Sequence, residues 1–284
     1  MTSILTLLKL YICGHHACAV RGKGIGRMLQ ERNDTNTNTV DAMNNQTPLL
    51  WAARNGHEEV VRILVERNNV DPNIGDSKDG RTALSWAVEN GHEELVKILA
   101  ERNDVDSNMG GLEDCQVSFS WAARNGHEGV VRILMERDDV DPNIGDPEDG
   151  RTPLSWAARN GHVGVARALL QRKDVKPNIV ETESRQTPLL IATQFHHEGI
   201  VRLLLEREDV DPNIIDPKES QTPLLVAAKN GYDGIVRMLL ERRDIDPNIV
   251  DKCGRTPLSW AAGDGHRNIA VMLLKYPATD VNLS

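Results

Sequence analysis

Aromatic side chains make up only 4% of the 284 residues: two Phe, three Tyr and five Trp. A core that cannot lean on large aromatic rings for buried area must draw it from Leu, Ile, Val and Ala. Basic charge is also short, because 33 Lys and Arg face 42 Asp and Glu for a formal net charge of −9. That balance disfavours nucleic acid or an anionic membrane as the main partner, since binding phosphate needs clustered cations. The four cysteines (Cys13, Cys18, Cys115, Cys253) follow no metal-ligand spacing, so free thiols in a reducing, intracellular and most simply cytoplasmic setting are expected. Long hydrophobic runs are missing too. The apolar stretch 4–13 is interrupted by Lys9 and is too short to span a bilayer. Ala17-Cys18-Ala19 resembles a signal-peptidase site, but no basic region precedes the apolar stretch. A helix covering the end of the fold is therefore the expectation, and a secreted effector is the rival reading.

What the chain has in quantity is itself. Trp-Ala-Ala-Arg-Asn-Gly-His stands at 51–57, 121–127 and 156–162, with related copies beginning at Trp86, Ile191, Val226 and Trp260. Aligned on the preceding turn, seven copies start at Gln46, Arg81, Gln116, Arg151, Gln186, Gln221 and Arg255, at a spacing of 35 residues that drops to 34 at the last step. Self-similarity at such a period specifies a solenoid of stacked units rather than a closed globule.

Each copy reads as two short helices. In the first, Thr47 is placed to cap a helix and Pro48 suits its first position, where no amide hydrogen is needed. Gly56 suits a left-handed ending, and a second helix runs from about Glu58 to Arg67 with Val60, Val61, Ile63 and Leu64 on one face. Pro72 forbids continuation, and 76–80 makes a projecting turn.

Thr-Pro-Leu-x-x-Ala-Ala-x-x-Gly-His, followed by Val-Val-x-Leu-Leu, resembles the ankyrin repeat. Thr-Pro-Leu is intact at 47–49, 152–154, 187–189, 222–224 and 256–258. The resemblance implies an all-α solenoid of stacked helix-turn-helix units with hairpin-like turns: seven repeats over 46–284, and an N-terminal capping helix with a degenerate repeat over 1–45. The period is two residues longer than the usual 33, and this variant resembles arrays in fungal multidomain proteins. The His usual after Thr-Pro-Leu is Ser or Leu here (Ser85, Ser155, Ser259; Leu50, Leu190, Leu225). The function implied is a protein-binding scaffold, with no catalysis and no cofactor. A sensor segment of a larger nucleotide-binding receptor is the alternative.

Residues that recur in every copy are expected to hold copies together. The tryptophan column could form a stacking platform, but Ile191 and Val226 share it, which favours packing. The histidines His57, His92, His127, His162, His197 and His266 sit in different units. Packed helices lie about 8–10 Å apart, whereas zinc ligands sit at about 2 Å, so a structural role beside the glycine turn is expected. Glu58, Glu66 and Asp71 recur at solvated positions, and no nucleophile elbow or phosphate loop is present.

Function is therefore sought where copies differ. The column after the Ala pair reads Arg54, Glu89, Arg124, Arg159, Gln194, Lys229 and Gly263, and the resemblance places it in the concave groove. Turn tips contribute Lys78, Glu148, Glu183 and Lys218. Phe195 stands where other copies have Asn55, Asn125 or Asn230. A mostly basic groove floor implies an acidic or mixed-charge protein segment as partner of a monomer. Three local expectations follow. The third copy is weak at 110–118, where Val117-Ser118-Phe119 replaces Thr-Pro-Leu. His196 holds a left-handed backbone in place of Gly. The helix at 267–274 exposes a more polar surface than its equivalents.

Overall fold

The computed structural model describes residues 37–40, 46–78, 80–106, 118–146 and 149–283. The expected N-terminal capping helix, most of the weak turn at 110–118 and the tip residue Glu148 lie outside the described residues. The chain forms two compact units divided between Asp141 and Pro142. The first holds α1 (Pro48–Arg54), α2 (Glu58–Val65), α3 (Ala83–Glu89), α4 (Glu93–Ala100), α5 (Ser118–Asn125) and α6 (Glu128–Met135). The second holds α7 (Pro153–Asn160), α8 (Val163–Leu170), α9 (Pro188–Gln194), α10 (Glu198–Leu205), α11 (Pro223–Asn230), α12 (Asp233–Leu240), α13 (Pro257–Gly263) and α14 (Arg267–Lys275). Among the described residues every element is a helix. Within each unit the helices pair, and each pair stacks on the next, first helix on first and second on second.

Helices of seven to nine residues are marginal alone, and packing with capping makes them stable. The hydroxyls of Thr47, Thr82, Thr152, Thr187, Thr222 and Thr256 each accept a hydrogen bond from the amide three residues on. Such caps are each worth about 1 kcal/mol. Where Ser replaces the usual His, its hydroxyl bonds the cap itself, as between Ser85 and Thr82 and between Ser155 and Thr152. The helix α5 forms with Ser118 at its first position, and Phe119 fills the Leu slot with no exposure. Ala52, Ala53, Val61 and Leu64 and their equivalents are buried in the first six repeats, so the core is a thin aliphatic strip; in the last, Ala262 is exposed and Ala270 half-buried.

First helices end at glycines with left-handed backbones, including Gly56, Gly91, Gly161 and Gly231. These positions need glycine for a second reason. A Cβ on Gly161 would stand 2.7 Å from the ring of His197, and one on Gly231 would stand 2.6 Å from that of His266. The expectation for His196 holds, with φ at 57°.

Two other non-glycine residues are strained in this way, Arg185 (φ 59°) and Ser220 (φ 54°), at the turn position held elsewhere by Gly80, Gly150 and Gly254. Arg185→Gly and Ser220→Gly should each stabilise the protein by up to about 1 kcal/mol, because glycine removes the Cβ clash. Urea denaturation checks this, and destabilisation by both would mean that their side chains hold the turns.

The expected polar surface of the last helix is not what forms. Val271 and Leu274 on α14 are 41% and 56% exposed. The helix keeps the apolar columns of a covered repeat, and Val271 replaces the basic residue found at that position in the other copies (Arg237 in the preceding one).

Candidate interaction surface

Much of the polar chemistry is consumed in joining repeats. One residue beyond the C-cap of α4, α6, α10 and α12, an arginine reaches back to the preceding repeat. Arg102 donates to the carbonyls of Val65, Arg67 and Val70, and Arg137 to those of Ala100, Arg102 and Val105. In the second unit Arg207 donates to Leu170, Arg172 and Val175, and Arg242 to Leu205, Arg207 and Val210. The first carbonyl of each set, that of Val65, Ala100, Leu170 or Leu205, ends a helix, where no intrahelical donor remains and the dipole favours a cation; the other two lie in the turn that follows. An aspartate two residues on orients each fork bidentately: Asp104, Asp139, Asp209 and Asp244. The hydrogen-bonded guanidinium holds the Asp104, Asp209 and Asp244 carboxyls below the usual carboxylate range, despite slight burial. In the last repeat the Tyr276 hydroxyl takes over by donating to the Arg242 carbonyl.

A second ladder uses asparagine amides as imitation backbone. Asn73 donates to the Asp104 carbonyl and accepts from the Asp106 amide; Asn213 does the same with Asp244 and Asp246, and Asn248 with Ala278 and Asp280. Neither ladder emerged from the pattern reading. Arg-x-Asp and Asp-x-Asn recur in the sequence, but a short segment that holds either does not reveal its partner a repeat away.

The tryptophans pack, as expected, though only Trp156 is buried; Trp51, Trp86, Trp121 and Trp260 are half-buried. The indole N–H of Trp86, Trp156 and Trp260 donates to a buried turn carboxylate, Asp76, Asp146 or Asp251. Burial pushes the Asp251 carboxyl up, but the Arg255 and Cys253 amides and the Trp260 indole together hold it below the usual range. The histidine rings cover the preceding repeat's glycine, and Nε2 of His197 and His266 donates to the carbonyls of Arg159 and Lys229. For His57, burial and the nearby His92 lower the pKa, which favours the neutral ring. No cluster of three or more His, Cys, Asp or Glu able to hold a metal occurs among the described residues.

The column after the Ala pair divides between the units. In the first, the Arg54 guanidinium lies 4.4 Å from the centre of the Trp86 ring, whose other neighbour is Arg81 at 5.0 Å. Glu89 pairs with Arg81 at 2.7 Å, and Arg124 lies 5.4 Å from the Trp121 ring. In the second unit Arg159 lies 5.1 Å from the Phe195 ring, Lys229 lies 4.5 Å from that of Trp260, and Gln194 is half-buried. Most column cations thus rest on an aromatic ring of the following repeat, which pins them and leaves them partly open to solvent. The tip residues Lys78, Glu183 and Lys218 are exposed.

One place breaks the repeat's own rules. Asn55, Asn90, Asn125 and Asn230 each donate to the carbonyl four residues back and so complete their helix end. Phe195 takes this position in α9's cap, cannot make that bond and is 46% exposed. It stacks on His197 with ring centres 6.3 Å apart. Beside it, strained His196 stacks on Tyr232 at 4.1 Å and 8°, where other copies place a histidine over a glycine. A lost cap bond, a strained backbone and an exposed aromatic at adjacent residues are all local sacrifices of stability, of the kind that concentrates at functional sites.

No helix among the described residues is long and apolar enough to cross a membrane. A family model for ankyrin repeats in three copies matches residues 15–109, 119–216 and 208–284. No curated protein matches the chain as a relative.

Proposed function

The chain belongs to the ankyrin-repeat family, and from that premise we propose that it binds an acidic or mixed-charge protein segment through its groove column and turn tips. The family is non-catalytic and generally mediates protein–protein interactions. The observation that carries the finer reading is the Phe195 site in the second unit. An exposed aromatic held against Arg159, with Lys229 in the same column, is the residue mix that dominates interface energetics. Gln194, Glu183 and Lys218 border it in this reading, and Arg54, Glu89, Arg124 and Lys78 serve the first unit in the same way. Cations already seated on rings lose little side-chain freedom on binding, which favours their use as anchors.

The test is a peptide array of acidic sequences probed with the full chain, followed by titration of the best binder. Arg159→Glu combined with Phe195→Ala should weaken binding about a hundredfold, with circular dichroism unchanged. Arg202→Glu combined with Arg237→Glu, on the exposed second helices, should change it less than about threefold. Equal losses from both pairs would place the binding surface elsewhere.

A further inference from the structure

Three side chains of the second unit share one column and leave their polar groups unspent. Arg159 on α7, Gln194 on α9 and Lys229 on α11 hold the same place in successive repeats, and each is half-buried. Among the described residues none of the three makes a side-chain hydrogen bond or ion pair. Aromatic rings fix the two cations instead. The Arg159 guanidinium lies 5.1 Å from the centre of the Phe195 ring, and the Lys229 ammonium 4.5 Å from that of Trp260. A cation seated against a ring is held by the ring's quadrupole and keeps its N–H groups for another partner. Arg255 also lies 4.3 Å from the Trp260 ring, but its charge helps to hold the Asp251 carboxyl ionised. The first unit differs. Its middle position is Glu89, already paired with Arg81, and a carboxylate there repels an acidic segment laid along the column.

The interval between the two cations follows from the stack. The helices α7, α9 and α11 pack one on the next, and packed helices lie about 8–10 Å apart, which sets Arg159 and Lys229 about 16–20 Å apart. Both cations lean onto a ring of the following repeat, so leaning leaves the interval unchanged. An extended chain advances about 3.3 Å per residue and points every second side chain to one face. Six residues, about 20 Å, is the even number that spans the gap, since four reach only about 13 Å. A helix rises about 1.5 Å per residue and would need acids about eleven to fourteen residues apart. Its backbone would also offer Gln194 nothing to bond.

We propose that the second unit selects an extended protein segment whose two acidic side chains stand six residues apart, one held by Arg159 and the other by Lys229. The Gln194 amide, midway between them, bonds the backbone of the segment as donor and acceptor. An apolar side chain two residues in from the Arg159 end rests on the exposed ring of Phe195. This inference rests on the acidic-segment reading and adds a ruler to it: spacing as well as charge decides which segments bind.

Fluorescence anisotropy with the full chain and a set of labelled, end-blocked peptides provides the test. Each peptide carries two glutamates and one leucine in a threonine background, which favours extended backbone. Only the glutamate spacing varies, at about four, six, eight or eleven residues, set by the extended and helical rises. The six-residue peptide should bind about tenfold tighter than the others, because it alone engages both cations at once. Lys229→Met should erase that advantage while keeping the packing on Trp260. Arg202→Met, on an exposed second helix, should leave the ranking unchanged. If all spacings bind alike and Arg159→Glu with Phe195→Ala weakens every one, the acidic-segment reading stands and the ruler is overturned. Tightest binding at the longest spacing overturns it as well, in favour of a helical partner. If no peptide binds, or Arg159→Glu with Phe195→Ala changes nothing, both readings fall.

Discussion

Arg207→Ala is expected to destabilise the second unit by about 3 kcal/mol, the sum of two or three hydrogen bonds made by a charged group to otherwise orphaned carbonyls. The carbonyl of Leu170 closes α8 and those of Arg172 and Val175 follow it, and all three point at one guanidinium whose side chain is only 18% exposed. Lysine should recover little, because a single ammonium cannot reproduce the planar fork. Asp209→Asn separates the two roles of this cluster. It removes the ion pair and leaves the carbonyls bonded, and since the Asp209 side chain is 53% exposed the loss should be under about 1 kcal/mol. Urea unfolding of the three variants checks this order. A loss from Asp209→Asn as large as that from Arg207→Ala would mean that the ion pair, not the helix end, is what the arginine serves.

Arg151→Met should be comparably severe, by about 3 kcal/mol, for a different reason. Glu181 occupies the turn-carboxylate position and is 1% exposed, with Arg151 Nε at 3.2 Å and the Ser184 hydroxyl as its side-chain partners. Removing one member of a buried pair strands the other charge, which costs several kcal/mol. Neutralising the stranded group should therefore recover stability: Arg151→Met with Glu181→Gln should be more stable than Arg151→Met alone. Arg151 also lies 4.8 Å from the Trp156 ring, and methionine keeps part of that packing. If the double variant is no better than the single one, the stacking on Trp156 rather than the buried carboxylate accounts for the loss.

The repeat and its helices were legible because they rest on local rules. Thr at the cap, Pro at the first position, Gly at the left-handed end and apolar residues at helical spacing each act within a few residues of themselves, so α7 or α11 can be read from its own eight residues. The position of Phe195 was legible as a departure from the Asn column, and the backbone of His196 as a departure from the Gly column. What those residues touch was not. That Arg159 lies against Phe195, and that His196 pairs with Tyr232, depends on how one repeat sits on the next.

The same boundary explains the arginines. Arg102, Arg137, Arg207 and Arg242 look in the chain like any charge after a helix, and only contact with a repeat 32 to 37 residues earlier makes them caps. Sequence alone determined that this protein is a stack of capped helix pairs, because capping and periodicity are properties of short segments. Which face of Trp86 a cation covers and which carbonyls an arginine closes were decided by the stacking itself. Those contacts join residues a full repeat apart, and no local preference encodes them.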